Sequence, residues 1–141
     1  MVSRTDQNYR EIVSQVGGIA RGQAGEALHI PFLCRSCGVT ERTLRKAFKT
    51  VFGTTPYRYL REQRMQEARE ALLHATPAST VTSIATDCGF LELGRFSVEY
   101  RAAFGERPSE TLRRSLVKNC AKYRNRIEPS HVGQVAAAPA A

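Results

Sequence analysis

The chain has no tryptophan, and only 8 % of its residues are aromatic. It has no run of about 18 apolar residues, the length a helix needs to cross a bilayer. The first residues, MVSRTDQNYREI, lack the apolar centre of a secretory leader, so a cytoplasmic location is expected. Lysine is scarce. It stands only at 46, 49, 118 and 122, and arginine supplies the rest of the 21 basic residues. No credible strand run is present, which points to an all-α chain. Catalytic groupings are missing too. His29, His74 and His131 are scattered, with no serine, cysteine or paired carboxylate at a catalytic spacing, and no phosphate-cradling glycine loop occurs. Nothing supports an enzyme. Cys34-Arg35-Ser36-Cys37 has a C-x-x-C spacing, but zinc needs four ligands and no second pair follows. The cysteines at 34, 37, 88 and 120 are expected to be reduced, with packing explaining the first three. No metal and no cofactor is expected.

What the chain does have is charge and helical pattern. Its 141 residues carry a net charge of +8, which favours an acidic partner: nucleic acid first, an anionic membrane second. The bias to arginine suits planar, two-pronged contact with phosphate or guanine. With 42 % hydrophobic residues, one domain can build a core. Residues 1–8 are polar and expected to fray. Ile12, Val13, Val16 and Ile19 predict a helix over 9–24, weakened by Gly17 and Gly18 and stopped at Gly25. A short helix follows from Pro31 to Cys37, ended by Gly38. Thr40 caps the next, TERTLRKAFKTVF, which stops at Gly53. Thr55-Pro56 opens a helix of about twenty residues, roughly 30 Å long, with Leu60, Met65, Ala68 and Leu72 on its apolar side. Thr80 caps a helix ending at Cys88-Gly89, Leu93–Phe104 forms another, and a last one starts at Pro108 or Ser109. Residues 119–141 lack apolar periodicity and are expected to be a disordered tail.

Two stretches are near-copies. Leu33, Cys34, Cys37 and Gly38 match Ile84, Ala85, Cys88 and Gly89 at an offset of 51. Leu44, Phe48, Phe52, Gly53, Pro56, Leu60 and Arg61 match Phe96, Tyr100, Phe104, Gly105, Pro108, Leu112 and Arg113 at an offset of 52. The second turn therefore holds one extra residue. Each copy is a short helix, a glycine turn and a longer helix, the helix-turn-helix pattern. One such pattern is weak evidence, but two joined by one long helix are far stronger. A linker of about 30 Å would hold two reading helices close to one DNA turn, about 34 Å, apart.

LCRSCGVTERTLRKAFKTVFGTTPYRYLREQRMQEA and IATDCGFLELGRFSVEYRAAFGERPS resemble the DNA-binding domain of AraC/XylS-type transcription regulators. The run LGRFSVEYRAAFGE is especially similar to that family's ethanolamine-regulator branch. The resemblance implies an all-α, homeodomain-like double helix-turn-helix domain over 9–118, with units at about 30–53 and 81–105 and a linker helix at about 56–75. It implies sequence-specific binding of double-stranded DNA and regulation of transcription, more often activation, with RNA polymerase as a partner, no membrane, and a module monomeric on DNA. Most family members carry a sensor or dimerisation domain ahead of this module. The chain is expected to be either a short stand-alone member or the C-terminal part of a longer product.

The first reading helix divides cleanly. Leu44, Ala47, Phe48, Val51 and Phe52 form its core side, and Arg42, Arg45, Lys46 and Lys49 share the other. Family resemblance places reading positions at 42, 45 and 46. Arg42 and Arg45 are expected on base edges, Lys46 on base or phosphate, and Lys49 on phosphate. Shifting by 52 puts Gly94, Ser97, Val98 and Arg101 at the matching places in the second unit, with Arg95 beside them. Val98 suits a thymine methyl, and Arg95 and Arg101 suit phosphates, unless they only pair with Glu92 and Glu99. The first unit is expected to carry most base specificity and the second mainly affinity and register. Phosphate contacts are expected near helix starts, at Thr55, Tyr57, Arg58 and Ser109. Arg69, flanked by Glu67 and Glu70, reads as a surface charge. The competing possibilities are a nonspecific basic nucleic-acid binder and a protein-interaction module lacking its sensor domain.

Overall fold

The computed structural model describes residues 3–23, 26 and 28–135, with side chains as far as 122 and at 124. The described residues form seven helices and no strand: α1 (Arg4–Gly22), α2 (Ile30–Cys37), α3 (Glu41–Phe52), α4 (Pro56–Leu73), α5 (Val81–Asp87), α6 (Leu93–Phe104) and α7 (Pro108–Val135). Short polar side chains set most of the starts. Thr40, Thr55 and Thr80 each accept a hydrogen bond from the backbone N–H three residues on, at Thr43, Arg58 and Ser83.

The helices build two small cores. In the first, Val16 of α1, Leu33 of α2, Leu44, Ala47 and Phe48 of α3 and Leu60 of α4 pack together. In the second, Met65, Ala68 and Leu72 of α4 meet Ile84 and Ala85 of α5, Phe90 of the turn, and Phe96 and Tyr100 of α6. The linker helix α4 therefore belongs to both, its first turns to one and its later turns to the other. At α6 and α7, Tyr100 Oη donates to Thr111 Oγ1 at 2.9 Å, and Thr111 Oγ1 donates to Glu106 at 2.7 Å. Arg114 grips the same carboxylate with both terminal nitrogens, at 2.8 and 2.7 Å.

Arg64 sits where the two cores meet. It is only 7 % exposed. Its guanidinium donates to the carbonyls of Glu26 and Gln23, in the connection that follows α1. Gly89, in the turn of the second unit, lies directly against it: a Cβ there would collide with Arg64 Nη1 and come within 2.8 Å of the Glu26 oxygen. One side chain thus ties together the α1–α2 connection, the linker helix and the second turn. Burial lowers its proton affinity relative to a free guanidinium, yet an arginine stays charged at neutral pH. The backbone carbonyls supply acceptors that make the buried charge tolerable.

Several boundaries differ from those the sequence predicts. α1 begins at Arg4 and not near residue 9, because Ser3 caps it and Asp6 stands in its first turn, near the positive end of the helix dipole. It runs through Gly17 and Gly18 because Ile12, Val13 and Val16 are anchored in the core, which outweighs the glycine cost of about 1 kcal/mol each. Gly25, the predicted stop, lies outside the described residues, and the helix ends at Gly22. The expected tail at 119–141 is helical as far as Val135. No glycine or proline interrupts 109–128, and Asn119 donates to the Ala75 carbonyl at 3.0 Å. Apolar periodicity marks only a helix with one apolar face, and 119–141 carry no such pattern. Arg69 is no surface charge either. Its guanidinium lies 4.4 Å from the centre of the Phe104 ring and 3.8 Å from Glu106. Phe52, expected in the core, is 41 % exposed and instead stacks on Tyr59 at 4.0 Å between ring centres.

The two turn glycines give a matched test. Gly38 and Gly89 both hold positive φ, +65° and +87°, but a Cβ at Gly38 meets nothing within 4 Å. Gly38→Ala should cost about 1–2 kcal/mol from backbone strain alone, measured by urea unfolding. Gly89→Ala should cost clearly more, because it also displaces Arg64. Equal losses would contradict the packing role assigned to Arg64.

Candidate nucleic-acid interface

The reading helix of the first unit is α3. Leu44, Ala47 and Phe48 are completely buried and fix its inner side. Arg42, Arg45, Lys46 and Lys49 are all exposed, and their spacing places them together on the opposite side. Arg45 is paired with Glu41 at 2.7 Å, with its side chain 68 % exposed. Such a surface pair is worth little and yields readily to a competing acceptor. Lys49 Nζ reaches the Gly53 carbonyl at 3.4 Å, at the foot of the helix.

In the second unit α6 is held by Phe96 and Tyr100, both fully buried. Its outer side carries Gly94, Val98 and Arg101, all exposed, with Ser97 half-buried beside them. Arg95, exposed beside them, is paired. It donates to Glu99 at 3.0 Å, and Glu99 also accepts from Arg61 of the linker helix at 2.9 Å. Arg61 in turn lies over the Phe90 ring, 5.2 Å from its centre. Burial would raise the Glu99 carboxyl, but the hydrogen bonds and charges of Arg61 and Arg95 outweigh it and hold the carboxyl below its ordinary value. Arg95 is therefore part of a bracket between α4 and α6, and it pairs with Glu99 as the sequence left open. Glu99 and Arg61 were missed as site-shaping residues. The cue was faint: position 99 matches Ala47, so a charge stands where the first unit is apolar.

The two helix starts expected to hold phosphate are equivalent in the repeat. At α4 the Thr55 hydroxyl accepts from the Arg58 N–H at 3.3 Å, so both groups are engaged. Arg58 also pairs with Glu62 at 3.4 Å. Tyr57 is exposed, its hydroxyl accepts from Arg61 at 3.4 Å, and its N–H is one of the first-turn donors that no helix satisfies internally. At α7 the exposed Ser109 holds the corresponding place, while Glu110 accepts from the Arg107 N–H at 2.9 Å. The thiols of the two helix-turn-helix units are held back from reaction. Cys34 is buried, and burial pushes the thiols of Cys34, Cys37 and Cys88 up.

Two helix-turn-helix units on one shared helix, each turning a reading helix outward, define a DNA-binding domain of the double helix-turn-helix class. The family model described as a helix-turn-helix domain matches residues 33–114. The probable thc operon regulatory protein of Rhodococcus erythropolis is 48 % identical over 91 residues, 64 % of this chain and 27 % of its own length. The XylDLEGF operon transcriptional activator of Pseudomonas putida is 43 % identical over 76 residues, 53 % of this chain and 24 % of its own. The crystal structure of a probable AraC family transcriptional regulator from Rhodopseudomonas palustris superposes with a TM-score of 0.66 at 37 % identity, covering 75 % of this chain and 98 % of that one. The chain belongs to the AraC/XylS family of transcription regulators and contains its DNA-binding domain. It spans roughly a quarter of the length of these curated relatives.

The bracket at Glu99 has a pH signature. Its carboxyl binds a proton less readily in the folded chain than in the unfolded one. Its contribution to stability is therefore fully present above the unfolded value, about 4.3, and is lost as pH falls through the lower folded value. Thermal midpoints measured from neutral pH downward should fall less steeply for Glu99→Gln than for the native chain. Parallel curves would contradict the bracket.

Proposed function

We propose that this chain recognises a specific duplex sequence through two successive major grooves and activates transcription from it. The observation that carries the reading is the segregation of α3. Leu44, Ala47 and Phe48 are completely buried on its inner side, and its outer side holds four basic residues, at the place where a helix-turn-helix unit meets base edges. Arg42 and Arg45 are assigned to base edges, where a guanidinium can bond guanine O6 and N7 together. Lys46 contacts base or phosphate, and Lys49 phosphate. In the second unit Gly94, Ser97, Val98 and Arg101 face the second groove, and Arg95 stands beside them, held by Glu99. This unit supplies affinity and register. Tyr57 and Ser109 hold phosphates through first-turn N–H groups, with Thr55 and Arg58 shaping the first of these sites.

The Pseudomonas putida relative is named a transcriptional activator. We assign activation here on that basis, with RNA polymerase as the protein partner, the cytoplasm as the compartment and a monomer as the DNA-bound form of this module. No helix among the described residues is long and apolar enough to cross a membrane. The role is binding and regulation, without catalysis.

Selection from a random duplex library at about physiological salt, followed by titration of the enriched duplex against scrambled DNA, tests the reading. An enriched motif is expected. Arg45→Ala should then cost about 1–3 kcal/mol and relax preference at one base position. Lys49→Ala should weaken all duplexes alike and reduce the salt slope by about one. Binding without enrichment, with steep salt dependence, would mark a nonspecific basic binder.

A further inference from the structure

The second turn is one residue longer than the first, and the backbone identifies the added residue. Val39 and Phe90 are equivalent: each N–H bonds the carbonyl five residues back, Val39 to Cys34 at 3.0 Å and Phe90 to Ala85 at 2.9 Å. Thr40 and Glu92 are equivalent as well, since each immediately precedes its reading helix. Between Phe90 and Glu92 stands Leu91, which has no counterpart in the first unit. Phe90 is buried in the second core at 4 % exposure, whereas Leu91 is 73 % exposed. A leucine this exposed buries little apolar area and so contributes little to folding.

The outer side of α6 is poorer in hydrogen-bond donors than that of α3. Gly94, Val98 and Arg101 occupy the places that Arg42, Lys46 and Lys49 hold in α3. Val98 is 70 % exposed. A Cβ at Gly94 would meet nothing within 4 Å, so the helix is bare there and can approach a groove wall closely. The long polar chain nearest this end, Arg95, is paired with Glu99. Where the first unit offers four basic side chains, the second offers one, Arg101, beside Ser97 and the exposed apolar groups of Leu91 and Val98. Thymine alone among the bases displays a methyl group in the major groove, and apolar side chains distinguish it by contact.

We infer that Leu91 and Val98 read thymine 5-methyl groups in the half-site of the second unit, which makes that unit selective as well as adhesive. The inference rests on the DNA-reading function proposed above. Burying one methyl is worth about a fourfold change in affinity.

Deoxyuridine lacks only this methyl and keeps every hydrogen-bonding edge of thymine. In the duplex selected from the library, each thymine of the second half-site is replaced singly by deoxyuridine and binding is titrated. The native chain should lose about fourfold at one or two of these positions. Val98→Ala and Leu91→Ala should each bind the thymine and uracil duplexes equally at one of those positions, and both should keep the native thermal midpoint because the side chains are exposed. If the first half-site is selected but uracil substitution in the second is silent, or the selected second half-site contains no thymine, the methyl assignment is overturned while the DNA-reading function stands. If neither half-site is selected, both fall together.

Discussion

A single buried arginine ties the two halves of this molecule together. Arg64 follows Leu60, which packs in the first core, and precedes Met65 and Ala68, which pack in the second. At that point the linker helix passes from one core to the other. Its guanidinium reaches back to the connection after α1 and lies against the turn of the second unit. A linker of 18 residues, about 27 Å long, fixes the separation of the units. The contacts of Arg64 fix how they are turned about it. Each core alone is small, and small cores are weakly self-supporting, so the shared helix and its central arginine make the two units one domain.

The duplication explains both the likeness of the units and their difference. Folding needs the same positions in each, so Leu44 and Phe96, Phe48 and Tyr100, Gly38 and Gly89 correspond. The outward positions are not held by the core and have diverged. α3 turns four basic residues outward, whereas α6 turns out Gly94, Ser97, Val98 and Arg101, with Leu91 exposed in the turn before it. The Arg61–Glu99–Arg95 bracket belongs to that divergence. Its Arg61–Glu99 arm crosses from the linker helix to α6, while Arg95 pairs with the same carboxylate along α6.

The helices that touch a core were legible in the sequence, since apolar spacing, threonine caps and turn glycines all mark buried structure. The basic side of α3 was legible for the complementary reason, a clean run of charge opposite a clean run of hydrophobes. What the sequence hides is charge drawn into the fold, with Arg64 buried and Arg69 half-buried. Arg64 and Arg69 are written like surface residues, and only their positions give them away: Arg64 stands four residues after Leu60 and four before Ala68, inside the apolar stripe of the linker helix. The helical stretch beyond 118 escaped because its sequence carries no apolar periodicity. Leu91 was visible only as one unassigned extra residue until the backbone bonds of Val39 and Phe90 were compared.

The central claim is that two units, held at a fixed distance and angle, engage one face of the duplex together. Affinity measured against the spacing of the two half-sites tests it most directly. Adding five base pairs, about half a helical turn, should move the second half-site to the far face and reduce affinity to that of the first half-site alone. Adding a full turn should not restore it, because a rigid linker cannot lengthen. Unchanged affinity at either altered spacing would contradict the account, since it would mean that the units move independently or that only one of them binds.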